Sequence, residues 1–365
     1  MKKKKIFRTT VLGFLWMFSS LTGYSRVFVG ADHPHIAYIG RVSFRQPESP
    51  CFTYPGVQIR AVFEGTSLAM RAKPNSGYFM VEIDGGKAFK IGFGENDSIL
   101  VLAQHLKDEV HQVCITLAYE GYMRRPEFRG FLLDDGKTLP KRPTLPSRKI
   151  EFIGNSITCG FGTEVTDPRA PFRDETENYY HTYAAATARA LNAQSLVVAR
   201  SGIGIYRNYN GPRTGSLDCL PARYDQTLFN DSTERWDFSR YTPDVVCVNL
   251  GTNDTSTQPY DTALLEQAYR KFFRTLRRHY PTAKVVLLSG CMLKGRPLKD
   301  VRKALDAVAA EAKAAGDREV YRFDLTPMDG SLGYGASWHP SKRQQYKCAE
   351  ELTGFIRSIT GWDAE

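Results

Sequence analysis

The second half of the chain alternates short apolar segments with amphipathic ones, and this alternation restricts the fold more than any other feature. Residues 244–250 place Val245, Val246, Cys247 and Val248 in a row, which is typical of a strand buried on both faces. The predicted strands are 149–153, 196–199, 244–250, 284–289 and 320–325, and the predicted helices are 179–191, 262–279, 298–315 and 342–359. Strands alternating with helices predict an α/β/α domain with a five-stranded parallel sheet.

Residues 27–137 have a different pattern. Val57, Ile59, Ala61 and Phe63 alternate with polar neighbours, and a hairpin-type turn stands at residues 84–86. Short strands separated by turns, with no long helical period, predict a β-sandwich of the jelly-roll kind. Residues 139–146 contain three prolines and are charged, which indicates a short, stiff linker.

The N-terminus has the layout of a secretory signal peptide. Residues 2–5 are lysines and residue 8 is an arginine, and an apolar run at 11–18 precedes Gly23-Tyr24-Ser25, a small-x-small cleavage site. The run is shorter than the ~20 residues that a membrane-spanning helix needs. We therefore predict a signal peptide at 1–25, a β-sandwich at 26–137, a linker at 138–147 and an α/β domain at 148–362. The mature protein is expected to be periplasmic or extracellular, without stable membrane insertion.

Charge and cysteine usage argue against two classes of partner. The net charge of +10 falls to about +5 without the signal peptide, and the remaining basic residues are scattered among acids, so nucleic-acid binding has little support. The seven cysteines include no CxxC pair and no His/Cys spacing typical of zinc. We expect no metal and no cofactor, and the sequence does not predict an oligomeric state.

Polar residues that could carry chemistry follow the predicted strands, at the edge where active sites of parallel sheets lie. They are Gly154-Asn155-Ser156, Arg200–Gly204, Gly251-Thr252-Asn253-Asp254 and Ser337-Trp338-His339-Pro340. Taken singly, Ser156 and Asn253 could be helix caps, Gly202 a turn glycine and His339 a surface residue. Together they offer a hydroxyl nucleophile, an imidazole base, and backbone and amide donors, which is the set that acyl transfer requires.

These four blocks resemble those of SGNH (GDSL-type) hydrolases, with Asn155 where many members have Asp. The β-sandwich before them resembles the layout of carbohydrate esterase family 2. The resemblance implies a carboxylic ester hydrolase that removes acetyl groups from sugars, as in acetylxylan or acetylglucomannan. It also implies Ser156 as nucleophile, His339 as general base, and an oxyanion hole formed by the backbone N–H groups of Ser156 and Gly202 and the Asn253 side chain.

One departure from the family pattern concerns the acid that usually orients the histidine. The positions three and two residues before His339 hold Ala336 and Ser337, so we expect a backbone carbonyl to fix the imidazole tautomer. Trp338 and Tyr206 could form an aromatic wall for a sugar, although either could equally be packing.

The missing acid motivates a second hypothesis, a carbohydrate-binding protein on a degraded esterase scaffold. A third keeps the chemistry and changes the substrate, as in a sialate esterase. The absence of a long apolar flap argues against a lipase.

Overall fold

The computed structural model describes residues 26–363, so the predicted signal peptide lies outside the described residues. The strands of the N-terminal part are β1 (Arg26–Gly30), β2 (Ala37–Ile39), β3 (Gln58–Gly65), β4 (Leu68–Ala72), β5 (Gly77–Ile83), β6 (Phe89–Phe93), β7 (Ile99–Ala103), β8 (Glu109–Leu117) and β9 (Phe128–Asp134). Within the described residues they form two antiparallel sheets, ordered β1-β9-β4-β7 and β2-β3-β8-β5-β6. The β-sandwich prediction is confirmed.

The sandwich core follows from the alternation seen in the sequence. Ile59, Ala61 and Phe63 of β3 are buried, and they join a cluster that includes Met70 of β4 and Phe131 of β9. Side chains of successive strand residues point to opposite faces, so a period of two buries one face of each sheet against the other.

The C-terminal part begins with β10 at Arg148. Its elements are β10 (Arg148–Gly154), α1 (Ser156–Cys159), α2 (Tyr183–Ala190), β11 (Ala193–Ala199), α3 (Leu220–Arg223), β12 (Gln226–Leu228), β13 (Asp231–Arg235), β14 (Val245–Asn249), α4 (Thr262–His279), β15 (Lys284–Ser289), α5 (Gly295–Ala314), β16 (Val320–Asp324) and α6 (Lys342–Thr360). A parallel sheet of five of the described strands has the order β11-β10-β14-β15-β16, which confirms the predicted α/β/α domain.

Neighbouring residues of each central strand face different cores. Phe152 and Cys247 pack with α2 and α6, whereas Ile153, Val246 and Val248 pack with α4 and α5. The sheet is thus covered on both faces, which explains why its strands read as continuous apolar runs.

Helix boundaries differ from the prediction where local hydrogen bonding intervenes. Thr182 accepts a hydrogen bond from the N–H of Ala185, so α2 begins after this cap and residues 179–181 form a separate 3-10 turn. α5 begins at Gly295 because Pro297 fits the first turn of a helix. No helix within residues 26–363 is long and apolar enough to cross a membrane.

A buried arginine joins the two domains. Arg41, which follows β2, donates to the carbonyls of Tyr224 and Gln226, the latter at 2.9 Å, and its guanidinium lies 5.3 Å from the centre of the Trp236 ring. It also lies 3.5 Å from Glu151 on β10, and both side chains are fully buried. Tyr224 donates to the same carboxylate at 3.0 Å. The ion pair therefore ties the sandwich to the strand that leads to Ser156.

Arg41→Ala should destabilise the protein strongly, because it leaves the Glu151 carboxylate buried without its cation. Breaking such a pair typically costs about 3–5 kcal/mol. Arg45→Ala is the matched control, since Arg45 is half exposed beside Glu234 and such pairs contribute about 1 kcal/mol or less. Urea unfolding of both variants checks this, and an Arg41→Ala protein as stable as Arg45→Ala would contradict it.

Candidate active site

Ser156 stands at the carboxyl edge of the parallel sheet, on the turn between β10 and α1. Asn155 caps α1, with its side-chain oxygen accepting from the N–H of Ile157 at 3.0 Å. Gly154 lets the turn close tightly, because a Cβ there would lie 2.0 Å from the Thr158 hydroxyl oxygen. The turn holds the Ser156 side chain at a fixed place beside the ends of β11 and β14.

His339 lies against Ser156 despite the 183 residues between them, with Nε2 2.9 Å from Oγ. Its Nδ1 lies 3.1 Å from the carbonyl oxygens of Ala336 and Ser337. A carbonyl can only accept, so the proton is on Nδ1 and Nε2 is free to accept the Ser156 proton. Backbone carbonyls thus take the place of the usual carboxylate, as the sequence predicted.

The environment keeps the imidazole neutral. The ring stacks on Phe161 with the centres 4.0 Å apart. Burial lowers the pKa of His339 to about 4, and the hydrogen bonds to the two carbonyls oppose this shift only in part. At neutral pH the residue is therefore an unprotonated base.

The carbonyls that hold His339 belong to an unusual turn. Ser337 and Trp338 both have positive φ, +48° and +62°, a region that non-glycine residues rarely adopt. Three consecutive N–H groups, those of residues 336–338, donate to carbonyls of loop 162–170 at 3.1–3.3 Å. This loop therefore fixes the turn, and the turn fixes the imidazole.

The two acids upstream of the histidine have other partners. Asp324 accepts from the Ser289 hydroxyl at 2.7 Å and pairs with Arg322. Asp329 accepts from the N–H and hydroxyl of Ser331. Each has its own structural role, which leaves the orientation of His339 to the backbone.

The register of the sheet brings Gly202 and Asn253 to the same edge. Gly154 of β10 lies opposite Ala199 of β11 and Asn249 of β14, so the turns after these strands flank Ser156. Asn253 donates a side-chain N–H to the Ile203 carbonyl at 2.8 Å, which joins the two turns. Gly202 has a φ of +77°, which favours glycine.

Comparison with known proteins agrees with this arrangement. The family model for the carbohydrate esterase 2 N-terminal domain matches residues 38–143, and that for the GDSL-like Lipase/Acylhydrolase family matches residues 152–345. An acetylxylan esterase / glucomannan deacetylase of Cellvibrio japonicus is 30% identical over 340 residues, 92% of this chain and 91% of that protein. The chain belongs to carbohydrate esterase family 2.

Other members of family 2 extend the comparison. The cellulase/esterase CelE of Acetivibrio thermocellus is 37% identical over 332 residues, which is 91% of this chain and only 40% of CelE. The structure of a family two carbohydrate esterase from Clostridium thermocellum in complex with cellohexaose has a TM-score of 0.84 at 36% identity. The structural match covers 90% of this chain and 100% of the Clostridium thermocellum chain. The family resemblance predicted from the sequence is thereby confirmed.

Asp254, next to Asn253, was not among the predicted site residues of this family 2 chain. Its fully buried carboxyl group accepts from the N–H groups of residues 205–207 at 2.8–3.1 Å and of Gly251 at 3.1 Å. Burial raises its pKa, and these backbone donors oppose the rise. Asp254 thus holds the Gly202 turn against the Asn253 turn. The one sequence signal for this role was its place in the Gly251–Asp254 block.

The aromatic residues near the site divide by exposure. Trp338 is 54% exposed, whereas Tyr206 is 8% exposed and its hydroxyl accepts from the N–H of Asp261 at 2.8 Å. Tyr209, which was not among the predicted site residues, is 58% exposed and donates its N–H to the Gly202 carbonyl at 2.8 Å. The tyrosine that faces solvent at the glycine turn is therefore Tyr209, whereas Tyr206 belongs to the core of the hydrolase domain.

Asp254→Ala should lower both stability and activity, because it leaves several buried N–H groups without an acceptor. Each such loss typically costs about 1–3 kcal/mol. Asp261→Ala is the control, since that carboxylate also accepts two backbone N–H bonds but at the accessible N-terminus of α4, where a lost cap costs about 0.5–2 kcal/mol. Thermal unfolding compares them, and equal effects would rule out the role given to Asp254.

Proposed function

We propose that the protein is a serine esterase that removes O-acetyl groups from carbohydrates through an acyl-enzyme on Ser156. The observation that carries the proposal is the 2.9 Å contact between Ser156 Oγ and the unprotonated Nε2 of His339. The hydroxyl of serine is a weak nucleophile until a base removes its proton, and this geometry supplies the base.

In the acylation half-reaction, Ser156 Oγ attacks the acetyl carbonyl carbon while its proton passes to His339 Nε2. Negative charge develops on the carbonyl oxygen, and the donors proposed for it are the N–H groups of Ser156 and Gly202 and the side chain of Asn253. One such donor typically accounts for ~10²–10³ in rate. The imidazolium then protonates the sugar oxygen, and the deacetylated sugar leaves.

In the deacylation half-reaction, His339 takes a proton from water, which attacks the acetyl group on Ser156. The same donors hold the second oxyanion, and acetate departs as the serine recovers its proton. The positive charge on the imidazole is stabilised at Nδ1 by two carbonyl dipoles rather than by a carboxylate. Every step uses groups of the chain itself.

The substrate class follows from the relatives. Two relatives with 30% and 28% identity are named acetylxylan esterase / glucomannan deacetylase. We therefore propose acetylated plant polysaccharides, or oligosaccharides derived from them, as the substrates of this protein. Trp338 and Tyr209 supply exposed aromatic faces against which a sugar ring can pack. The N-terminal sequence supports export of the enzyme to the periplasm or the exterior, where such polymers occur.

The rival hypothesis of a carbohydrate-binding protein without catalysis predicts that the serine is inert. An intact, correctly oriented pair of nucleophile and base supports the esterase instead. A serine-directed fluorophosphonate should label the wild-type protein at Ser156, whereas a pure binder should not react.

Ser156→Ala should lower kcat for acetate release by at least ~10³-fold, since the acyl-enzyme cannot form. Ser358→Ala is the control, because that exposed hydroxyl on α6 donates to the Phe355 carbonyl at 2.7 Å and lies outside the turns that carry Ser156 and His339. Acetate release from acetylated xylan, glucomannan and pectin is the measurement. A Ser156→Ala protein that releases acetate at the wild-type rate would contradict the proposal. If the wild-type protein hydrolysed sialate esters and none of these polysaccharides, the sialate esterase hypothesis would replace it.

The activity should persist to unusually acid pH. With the pKa of His339 at about 4, the base stays unprotonated above that value, so kcat/KM should fall as the pH drops through about 4 rather than through the ordinary 6.5. A pH–rate profile tests this, with circular dichroism at each pH to exclude acid unfolding. An acid limb centred at 6.5 or above would contradict the expectation.

A further inference from the structure

Two buried glutamates meet where the sandwich contacts the hydrolase domain. Glu120, which follows β8 in the sandwich, is 7% exposed, and Glu177, in the loop before α2, is 0% exposed. The N–H of Glu120 donates to Glu177 Oε2 at 2.9 Å. One carboxyl oxygen of each glutamate and the Sγ atom of Cys159 lie within 4.8 Å of one another. The mechanism described above uses none of these groups.

The pair reaches the oxyanion turn directly. Glu120 Oε1 accepts from the N–H of Ser201 at 2.6 Å, and Ser201 immediately precedes Gly202. The same sandwich segment is anchored beside it, since the N–H of Tyr179 donates to the Ala118 carbonyl at 2.7 Å. The N-terminal domain thus supplies an acceptor that holds the main chain one residue before the proposed oxyanion donor.

Two carboxylates this close and this deeply buried cannot both be ionised. No N–H or hydroxyl group of the described residues donates to Glu177 Oε1, which is buried. The two carboxyl groups hydrogen-bond to each other, and this bond raises the pKa of Glu177 and lowers that of Glu120, as when the proton lies on Glu177. Burial and the charge of Glu120 raise the pKa of Glu177 well above its ordinary value, and burial also raises that of Glu120.

We propose that Glu120 and Glu177 hold one proton between them and that this pair positions the Gly202 turn for catalysis. Both are positioning residues, since neither touches the reacting atoms. This inference rests on the proposed esterase function. It means that the sandwich contributes a side chain, Glu120, that positions the active site.

The charges around the pair determine how it responds to pH. Arg200 faces Glu120 from the end of β11, and Asp174, paired with Arg124, faces Glu177 from the preceding turn. Lys90 donates to the Glu177 carbonyl at 3.1 Å. The Cys159 thiol has its pKa raised by burial and stays neutral.

The sign of the pH dependence follows from the raised pKa. A glutamate that binds its proton more tightly when folded stabilises the fold fully below the unfolded value of about 4.3, and this contribution is lost as the pH rises through the folded pKa. Loss of the shared proton places two anions side by side. The Ser201–Gly202 turn should then loosen, so that kcat and the unfolding temperature decline together at alkaline pH.

Glu177→Gln and Glu120→Ala test the two halves of the proposal. Glutamine keeps a donor for Glu120 and an acceptor for its N–H but cannot titrate, so kcat should stay close to wild type at neutral pH and the alkaline decline should flatten.

Glu120→Ala removes the acceptor of the Ser201 N–H, and kcat should fall about 10-fold with KM little changed, a part of the ~10²–10³ that a whole oxyanion donor supplies. Glu120→Gln should restore most of that loss. Glu127→Ala, a partly exposed sandwich glutamate paired with Lys73 and Arg129, is the matched control.

A measurement that needs no activity separates this proposal from the esterase function. Infrared spectra of the wild-type protein at neutral pH should contain the C=O band of a buried protonated carboxylic acid, and Glu177→Gln should lack it. Absence of that band, an unaltered alkaline limb in Glu177→Gln, or wild-type kcat in Glu120→Ala would overturn the proposal. So would stoichiometric metal in elemental analysis, because the Glu120, Cys159 and Glu177 side chains would then be ligands. A band without any acetate release would overturn the esterase function and leave the shared proton standing.

Discussion

The in-register ends of three parallel strands are the constraint on which the site depends. β10, β11 and β14 are neighbours, so the turns that follow them open at one edge within reach of one another. Each turn then needs only local chemistry: a capped helix start for Ser156, a glycine with positive φ at 202, and an amide at 253. The proposed nucleophile and the proposed oxyanion donors are thus placed by the register of the sheet and by the short turns that follow its strands.

The histidine is the exception, because it arrives from a long loop after β16. Its orientation depends on two carbonyls in a turn of positive φ, which loop 162–170 holds from outside. A carbonyl dipole stabilises an imidazolium less than a carboxylate does, and it leaves the ring a weaker base. In exchange, the orientation does not depend on the ionisation of any acid, so the base remains usable at low pH.

The sequence was informative wherever a pattern is local. Periodicity predicted helix 262–279 with both boundaries. The polar residues after the predicted strands included Ser156 and His339, whose side chains lie 2.9 Å apart in the structure. The hairpin of β12 and β13 was missed, since β13 is polar and none of its residues is buried. Arg41 and Glu120 were also missed, because their partners lie 57 to 185 residues away in the other domain and no spacing rule relates them. Tyr206 and Tyr209 lie three positions apart in the sequence, and only the fold shows which of the two rings is buried.

The ion pair between Arg41 and Glu151 has a consequence for modularity. Glu151 sits in the middle of the first parallel strand, and the arginine that pairs with it comes from the sandwich, so the ion pair exists only when both domains are together. The segment shared with CelE spans 91% of this chain and therefore includes both halves, although it makes up only 40% of that larger protein. A hydrolase sheet separated from the sandwich would therefore retain the Glu151 carboxyl group without the cation that lowers its pKa, and burial would then favour its protonated form.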